Sequence, residues 1–185
     1  MNEHDMDERI KLLHERQKLA RQGGGLERLE RQRQAGKLTA RERVEVLLDP
    51  GTFREIHMFA ETQCFEFDMQ QKKILGDGVI TGYGRIEGRP VFIYSQDATV
   101  FGGSCGRAHG QKICNLIRLA RKSGVPIIGL NDTGGGRLQE GMDNVAGYGE
   151  MFFENTTTSG VVPQIAAIMG PVSYTHLRAH ETGRN

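Results

Sequence analysis

Two glycine-rich segments constrain this chain more than anything else in it. Phe101-Gly102-Gly103-Ser104-Cys105-Gly106 and Asp132-Thr133-Gly134-Gly135-Gly136-Arg137 each follow a short apolar run and precede an amphipathic one. Residues without a Cβ let a ligand approach the main chain, and amides at a helix start can face an anion or a developing oxyanion. Tight turns at strand ends ask for the same residue. For either loop alone both readings stand; two in succession favour a binding surface. Glycine is also the compositional outlier, at 25 of 185 residues against ~7% in average proteins.

The segments around the loops read as alternating strands and helices. Residues 74–83 and 90–96 have strand character and are joined by Gly84-Arg85-Ile86-Glu87-Gly88-Arg89, a hairpin-like connection. A helix is expected over 108–122, with Ile113, Leu116, Ile117 and Ala120 on one face and Ser123-Gly124 as its stop. Residues 125–130 form a buried strand, 144–154 a second helix and 162–169 a further strand with few charges. This β-β-α-β-α-β order predicts an α/β fold with a mainly parallel sheet, because parallel strands need crossover connections.

Residues 1–50 differ from the rest. They carry 11 Lys+Arg and 10 Asp+Glu, with Ile10, Leu12, Leu13 and Leu19 in a helical pattern that Gly23-Gly24-Gly25 interrupts. An exposed helical arm of two helices is expected. Thr39-Ala40-Arg41-Glu42 then offers a capping box for a short helix through Leu48, with Val44, Leu47 and Leu48 on one face. Asp49-Pro50-Gly51 ends it.

Composition excludes several function classes. A net charge of +1 supplies no field for nucleic acid or an anionic membrane, and the longest apolar stretches fall well short of the ~20 residues of a membrane-spanning helix. The charged N-terminal segment resembles no secretory signal, so a cytoplasmic protein is expected. Cys64, Cys105 and Cys114 form an odd set without a CxxC pair, which supports neither a disulfide framework nor a thiolate zinc site; no metal is expected.

Competing motifs fit poorly. There is no GxxxxGK[ST], no GxGxxG followed by an acidic residue at the usual distance, and no GxSxG. His4, His14 and His57 sit in charged or irregular surroundings and read as surface residues. His109 opens the helix after the first loop, where ligand contact, capping and packing are all open. Arg137 ends the second loop; it could hold a phosphate or carboxylate, or pair with Asp132 or Glu140.

Four motifs occur in order: Ala35-Gly36-Lys37-Leu38-Thr39-Ala40-Arg41-Glu42-Arg43, Phe101-Gly102-Gly103-Ser104, His109-Gly110-Gln111-Lys112-Ile113 and Asp132-Thr133-Gly134-Gly135-Gly136-Arg137-Leu138-Gln139-Glu140-Gly141. Together they resemble the carboxyltransferase β subunit of biotin-dependent acyl-CoA carboxylases, in the branch of propionyl-CoA carboxylases and methylmalonyl-CoA carboxyltransferases or decarboxylases. The resemblance runs from about residue 8 to Pro171. It implies a crotonase-like spiral of ββα units, here incomplete and preceded by the helical arm. The implied reaction moves CO2 between carboxybiotin, on a partner carrier domain, and the α-carbon of a short-chain acyl-CoA. Implied partners are a biotin carboxylase or biotin carrier subunit and further copies of the full-length subunit. Gly102 and Gly103 match the family's FGGS loop; Gly134, Gly135 and Arg137 match its DSGGAR loop, with Thr133 for Ser and Gly136 for Ala. With Gly170 they are the candidate acyl-CoA-binding residues. Three scattered cysteines cannot supply the zinc ribbon of the acetyl-CoA carboxylase branch.

The pattern breaks after Met169-Gly170-Pro171. The family continues Cys-Ala-Gly-Gly-Ala, whose glycine pair supplies the amides for the thioester enolate; here Tyr174 and Thr175 stand in their place. Arg178-Ala179-His180-Glu181-Thr182 resembles translated adaptor sequence. Residues 1–50 are therefore read as the arm, 51–171 as a truncated acyl-CoA-binding carboxyltransferase domain and 172–185 as a non-native tail, with little or no transfer expected from the 185 residues as written. The rival reading is a non-catalytic CoA-binding or assembly module. An enoyl-CoA hydratase relative would need paired glutamates that are not seen.

Overall fold

The computed structural model describes residues 3–170. The arm holds α1 (Glu3–Ala20) and α2 (Leu26–Gln34), parted by the expected glycine break. The break is also an anchor. Gly24 donates its N–H to Thr99 Oγ1 at 3.1 Å, and a Cβ at Gly24 would lie 1.9 Å from the Thr99 carbonyl oxygen, so only glycine permits this approach.

The capping box forms as expected at α3 (Ala40–Leu47): Thr39 Oγ1 accepts from Glu42 N–H at 3.3 Å and Glu42 Oε2 accepts from Thr39 N–H at 2.8 Å. Val44 and Leu48 are buried, but Leu47 is exposed. The expected shared face fails because Leu48 has already left helical geometry, with φ −94° and ψ 153°.

The sheet contains β1 (Arg54–Ile56), β2 (Val79–Ile86), β3 (Arg89–Gln96), β4 (Ile127–Asn131) and β5 (Gln164–Ile168), side by side in that order. It is not mainly parallel. β1, β2 and β3 pair antiparallel, while β3, β4 and β5 pair parallel. The connections dictate this: Glu87-Gly88 is a two-residue turn with φ values of 50° and 77°, which can only reverse the chain, whereas β3 to β4 and β4 to β5 cross over through helices. Asp49 fixes the turn by accepting from both of its amides, at 2.9 and 2.8 Å. The first strand starts later than expected because Gly76, Asp77 and Gly78 all have positive φ and form a turn instead.

α4 (Arg107–Ser123) is the first crossover helix and α5 (Met142–Thr158) the second. Ile113, Leu116, Ile117 and Ala120 of α4 pack with Val79 and Ile127 on one face of the sheet, and Val44 and Leu48 pack with Val91, Ile93 and Leu130 on the other. Arg118 and Arg121 of α4 join Glu150 and Glu154 of α5. At the far edge Phe152, Phe153, Ile165 and Ile168 stay exposed. Among the described residues no helix is long and apolar enough to cross a membrane.

Candidate functional site

Both glycine loops sit at the C-terminal ends of parallel-paired strands, after β3 and after β4, where the chain leaves the sheet and side chains converge. They are joined to each other. Gly134 N–H donates to the Gly102 carbonyl at 2.9 Å, Cys105 N–H to the Gly135 carbonyl at 2.8 Å and Arg137 N–H to the Cys105 carbonyl at 2.9 Å. Gly103, at φ +70°, leaves room for Asp132, whose carbonyl oxygen would lie 2.2 Å from an added Cβ. Gly170 approaches the same residue from β5, since a Cβ there would lie 2.0 Å from Asp132 Oδ1. Asp132 is thus the point on which both loops and the end of β5 close.

The expectation that the loop amides face a ligand is not met for three of them. Gly103 N–H is taken by the Val100 carbonyl, Gly134 N–H by Gly102 and Gly135 N–H by Thr133 Oγ1 at 3.1 Å. Buried amides are satisfied wherever a partner is in reach, and here the partners are the loops themselves. Gly102 differs: at φ +64° a Cβ on it would meet nothing within 4 Å, and it lines a cavity of about 1240 Å³.

That cavity lies between the first loop and the arm. Arg28 and Arg31 of α2 line it together with Lys37, Lys72, Phe67 and Phe101, and the acids Glu27, paired with Arg31, and Asp132 are in the lining too. The arm therefore does more than pack, as it supplies one wall. Sequence reading missed these cations because they are scattered among as many acids in residues 1–50, with no motif to mark them; only the fold collects them.

Arg137 is 1% exposed and does not line the cavity. Its Nη1 pairs with Asp77 Oδ1 at 2.5 Å and Glu140 Oε1 at 2.9 Å, its Nη2 donates to the Ser104 carbonyl at 2.9 Å, and its guanidinium carbon lies 4.7 Å from the Phe101 ring centroid. Of the sequence alternatives, the pairing with Glu140 forms. Asp132 instead pairs with Arg43 of α3 at 2.8 Å. Burial pushes the Asp77 carboxyl up from its usual range while Arg137 pulls it down.

His109 is fully buried at the start of α4, so packing and local bonding win over ligand contact. Its N–H donates to Asp77 Oδ2 at 2.9 Å. Burial, helped by Arg137 and Lys112, holds its imidazole down to about 3, so it is neutral at physiological pH. Lys112, on the same helix, is pulled down to about 8 by burial and donates to the carbonyls of Gly76 and Val79. Cys105 is buried with its thiol pushed up to about 12, which makes it inert. His57 is exposed, as expected. Tyr174 and Thr175 lie outside the described residues, and so does the tail from 171. Among the described residues no group of His, Cys, Asp and Glu could hold a metal ion.

The model for the carboxyl transferase domain matches residues 31–173. A propionyl-CoA carboxylase beta chain of Roseobacter denitrificans is 52% identical over 166 residues, covering 90% of this chain and 32% of that protein. A methylmalonyl-CoA decarboxylase subunit alpha of Veillonella parvula is 51% identical, covering 90% and 33%. Among solved structures, transcarboxylase 12S, a hexamer with methylmalonyl-CoA and methylmalonic acid bound, superposes with a TM-score of 0.86 at 45% identity, covering 88% of this chain and 32% of that one. This chain thus spans about a third of the length of these relatives, and its α/β architecture is the crotonase-like fold of carboxyltransferase domains. From the matched domain and these identities together, the chain belongs to the carboxyl transferase domain family.

Proposed function

We propose that this chain is the acyl-CoA-binding part of an acyl-CoA carboxyltransferase, which moves CO2 between carboxybiotin on a partner carrier and the α-carbon of a short-chain acyl-CoA. The observation that carries this reading is the cavity, with a cationic arm on one side and the side-chain-free Gly102 on the other. Coenzyme A presents phosphates and an extended thioester arm. Arg28, Arg31, Lys37 and Lys72 suit the phosphates, and Gly102 lets the thioester arm pass close to the main chain. Of the other candidate glycines, Gly103 lets the Asp132 backbone come close, Gly134 the Gly102 carbonyl and Gly170 the Asp132 side chain, while Gly135, at φ +103°, carries the second loop through its turn. Arg137 holds the second loop through Asp77 and Glu140 rather than touching substrate.

Biotin fits these residues less well. Its ureido ring is small and neutral, whereas the cavity is large and carries Arg28, Arg31, Lys37 and Lys72 in its lining, so no step through biotin is assigned to them. A biotin carrier, a biotin carboxylase partner and a homo-oligomer belong to the same proposal, supported by the carboxylase and decarboxylase names of the relatives and by the hexameric transcarboxylase. A cytoplasmic setting is supported by three free cysteines.

Titration of the chain with propionyl-CoA, dephospho-CoA and NADH tests the binding half. Propionyl-CoA is expected to bind with an affinity that falls as salt rises and to be preferred over NADH; equal binding of all three ends the proposal. One observation favours a second reading. Tyr174 and Thr175 stand where the family has its enolate glycines, which suits a module that binds acyl-CoA without transferring carboxyl. A carboxylation assay with a loaded biotin carrier separates the two, because the module binds propionyl-CoA and yields no carboxylated product.

A further inference from the structure

Beneath the glycine loops lies a buried row of polar groups that neither substrate binding nor the Arg137 pairing uses. His109 Nδ1 lies 3.0 Å from the Asp77 carbonyl oxygen. His109 Nε2 lies 3.2 Å from Gln96 Nε2. Gln96 Oε1 accepts the main-chain N–H of Asp132 at 3.2 Å. Asp77, Gln96 and His109 are at most 1% exposed and Asp132 4%, so a partner lost from this row leaves a buried polar group to be satisfied.

The two ends of the row are backbone groups, and they fix its direction. The Asp77 carbonyl can only accept, so Nδ1 of His109 must carry a proton. The Asp132 amide can only donate, so Gln96 must turn its carbonyl oxygen toward it and its NH2 toward His109. Nε2 must then be a bare acceptor. Every donor points from Asp132 toward Asp77, and one imidazole state alone satisfies all of them: neutral, with the proton on Nδ1. A second proton on Nε2 would face the Gln96 NH2; if the amide flipped to accept it, the Asp132 amide would lose its partner. The groups facing the ring are compatible with neutrality. Arg137 from the second loop and Lys112 from α4 disfavour a positive imidazole, and the Asp77 carboxylate already engages Arg137 and the His109 N–H.

We propose that Gln96 and His109 are positioning residues, a one-way hydrogen-bond relay that sets Asp132, and through it the contact of the two glycine loops, and that operates only with the Nδ1-protonated neutral imidazole. Asp132 is gripped twice, its amide by this relay and its carboxylate by Arg43 of α3, and Gly103 and Gly170 close on it. The consequence for acyl-CoA rests on the function proposed above; the relay itself does not.

Nitrogen-15 NMR of His109 in the ligand-free chain, from pH 5 to 8, is the direct test. A protonated Nδ1 and bare Nε2 throughout are expected; an Nε2–H tautomer or an imidazolium at pH 6 overturns the relay. Gln96→Glu keeps the acceptor for Asp132 but removes the donor to His109, so a titration of His109 is expected to enter this pH range, and its absence counts against the relay. Hydrogen exchange of the Asp132 amide gives a second readout. Protection is expected to fall about tenfold or more in Gln96→Leu and His109→Leu. His109→Gln, which retains a donor and an acceptor, is expected to restore it. Unchanged protection in a folded Gln96→Leu chain overturns the proposal, and if the leucine variants do not fold, the wild-type tautomer and Gln96→Glu still decide. Propionyl-CoA affinity is measured alongside: a confirmed relay in a chain that does not bind propionyl-CoA removes the proposed function and leaves the relay standing.

Discussion

The chain uses its cations in two opposite ways. Around the cavity, Arg28, Arg31, Lys37 and Lys72 stand on the arm and the connection before β2, at the edge of open space. Elsewhere Arg137 and Arg43 are almost fully buried, each closed against a carboxylate. In the first set Arg31 holds only an exposed pair with Glu27 and Arg28 a bond to the Thr99 carbonyl, contacts that leave the guanidinium groups in reach of solvent; the second set is neutralised internally and gains fixed geometry. In a segment with nearly balanced charge, burial decides which role an arginine takes. Composition does not.

Removing a buried partner should have the largest effect on this contrast. Arg137→Met leaves Asp77 and Glu140 without their cation, and loss of one member of a buried pair costs about 3–5 kcal/mol; urea denaturation should show a midpoint far below wild type. An equal stability would place Arg137 with the cavity cations after all. Gly103→Ala comes next. It combines φ +70° with a Cβ 2.2 Å from the Asp132 carbonyl, and a cost of about 3 kcal/mol is expected from strain and displacement together. Gly102→Ala shares the positive φ but meets nothing, so about 1 kcal/mol is expected, with propionyl-CoA affinity reduced more than stability.

The pH dependence of folding sharpens the same comparison. His109 has a folded value near 3 against an ordinary 6.5, so the unfolded chain binds the extra proton and stability must fall as pH drops from about 6.5 toward 3. At pH 5 this amounts to about 2 kcal/mol relative to neutral pH. His109→Gln should flatten that limb in denaturation curves recorded from pH 7 to 5, whereas an unchanged slope would assign the acid sensitivity to other groups. The smallest effect is expected from the open cations. Arg28→Ala or Lys72→Ala should change stability by less than about 1 kcal/mol, yet weaken propionyl-CoA binding several-fold at low salt, with the difference shrinking in high salt.

Much of this was legible in the sequence where a local rule acts alone. The capping box at Thr39 and Glu42, the glycine stop after α4 and the break at Gly23–Gly25 all depend on neighbours a few residues apart. β1 gives no signal because three residues carry no periodicity, and the mainly parallel expectation fails because β1 adds a second antiparallel pair to the hairpin of β2 and β3. The site was legible only as a pair of loops. Gly103 and Gly134 announce close approach, but which backbone approaches is a fact about residues 29 or more positions away in the chain, and Gly103's partner proved to be Asp132 rather than substrate. The Asp77–His109–Gln96 row joins three elements and leaves no trace in any one of them.

The anchor at Gly24 has a practical consequence for anyone handling this protein. Because α2 is tied to Thr99 on one side and leads into the capped α3 on the other, a fusion or tag joined ahead of α1 leaves the ligand chamber intact. Trimming the chain to begin at residue 37 would keep every strand of the sheet while taking away Arg28 and Arg31. Such a shortened version would keep Lys37, Lys72 and Gly102, so any loss of propionyl-CoA binding relative to the full chain would report the wall that α2 supplies.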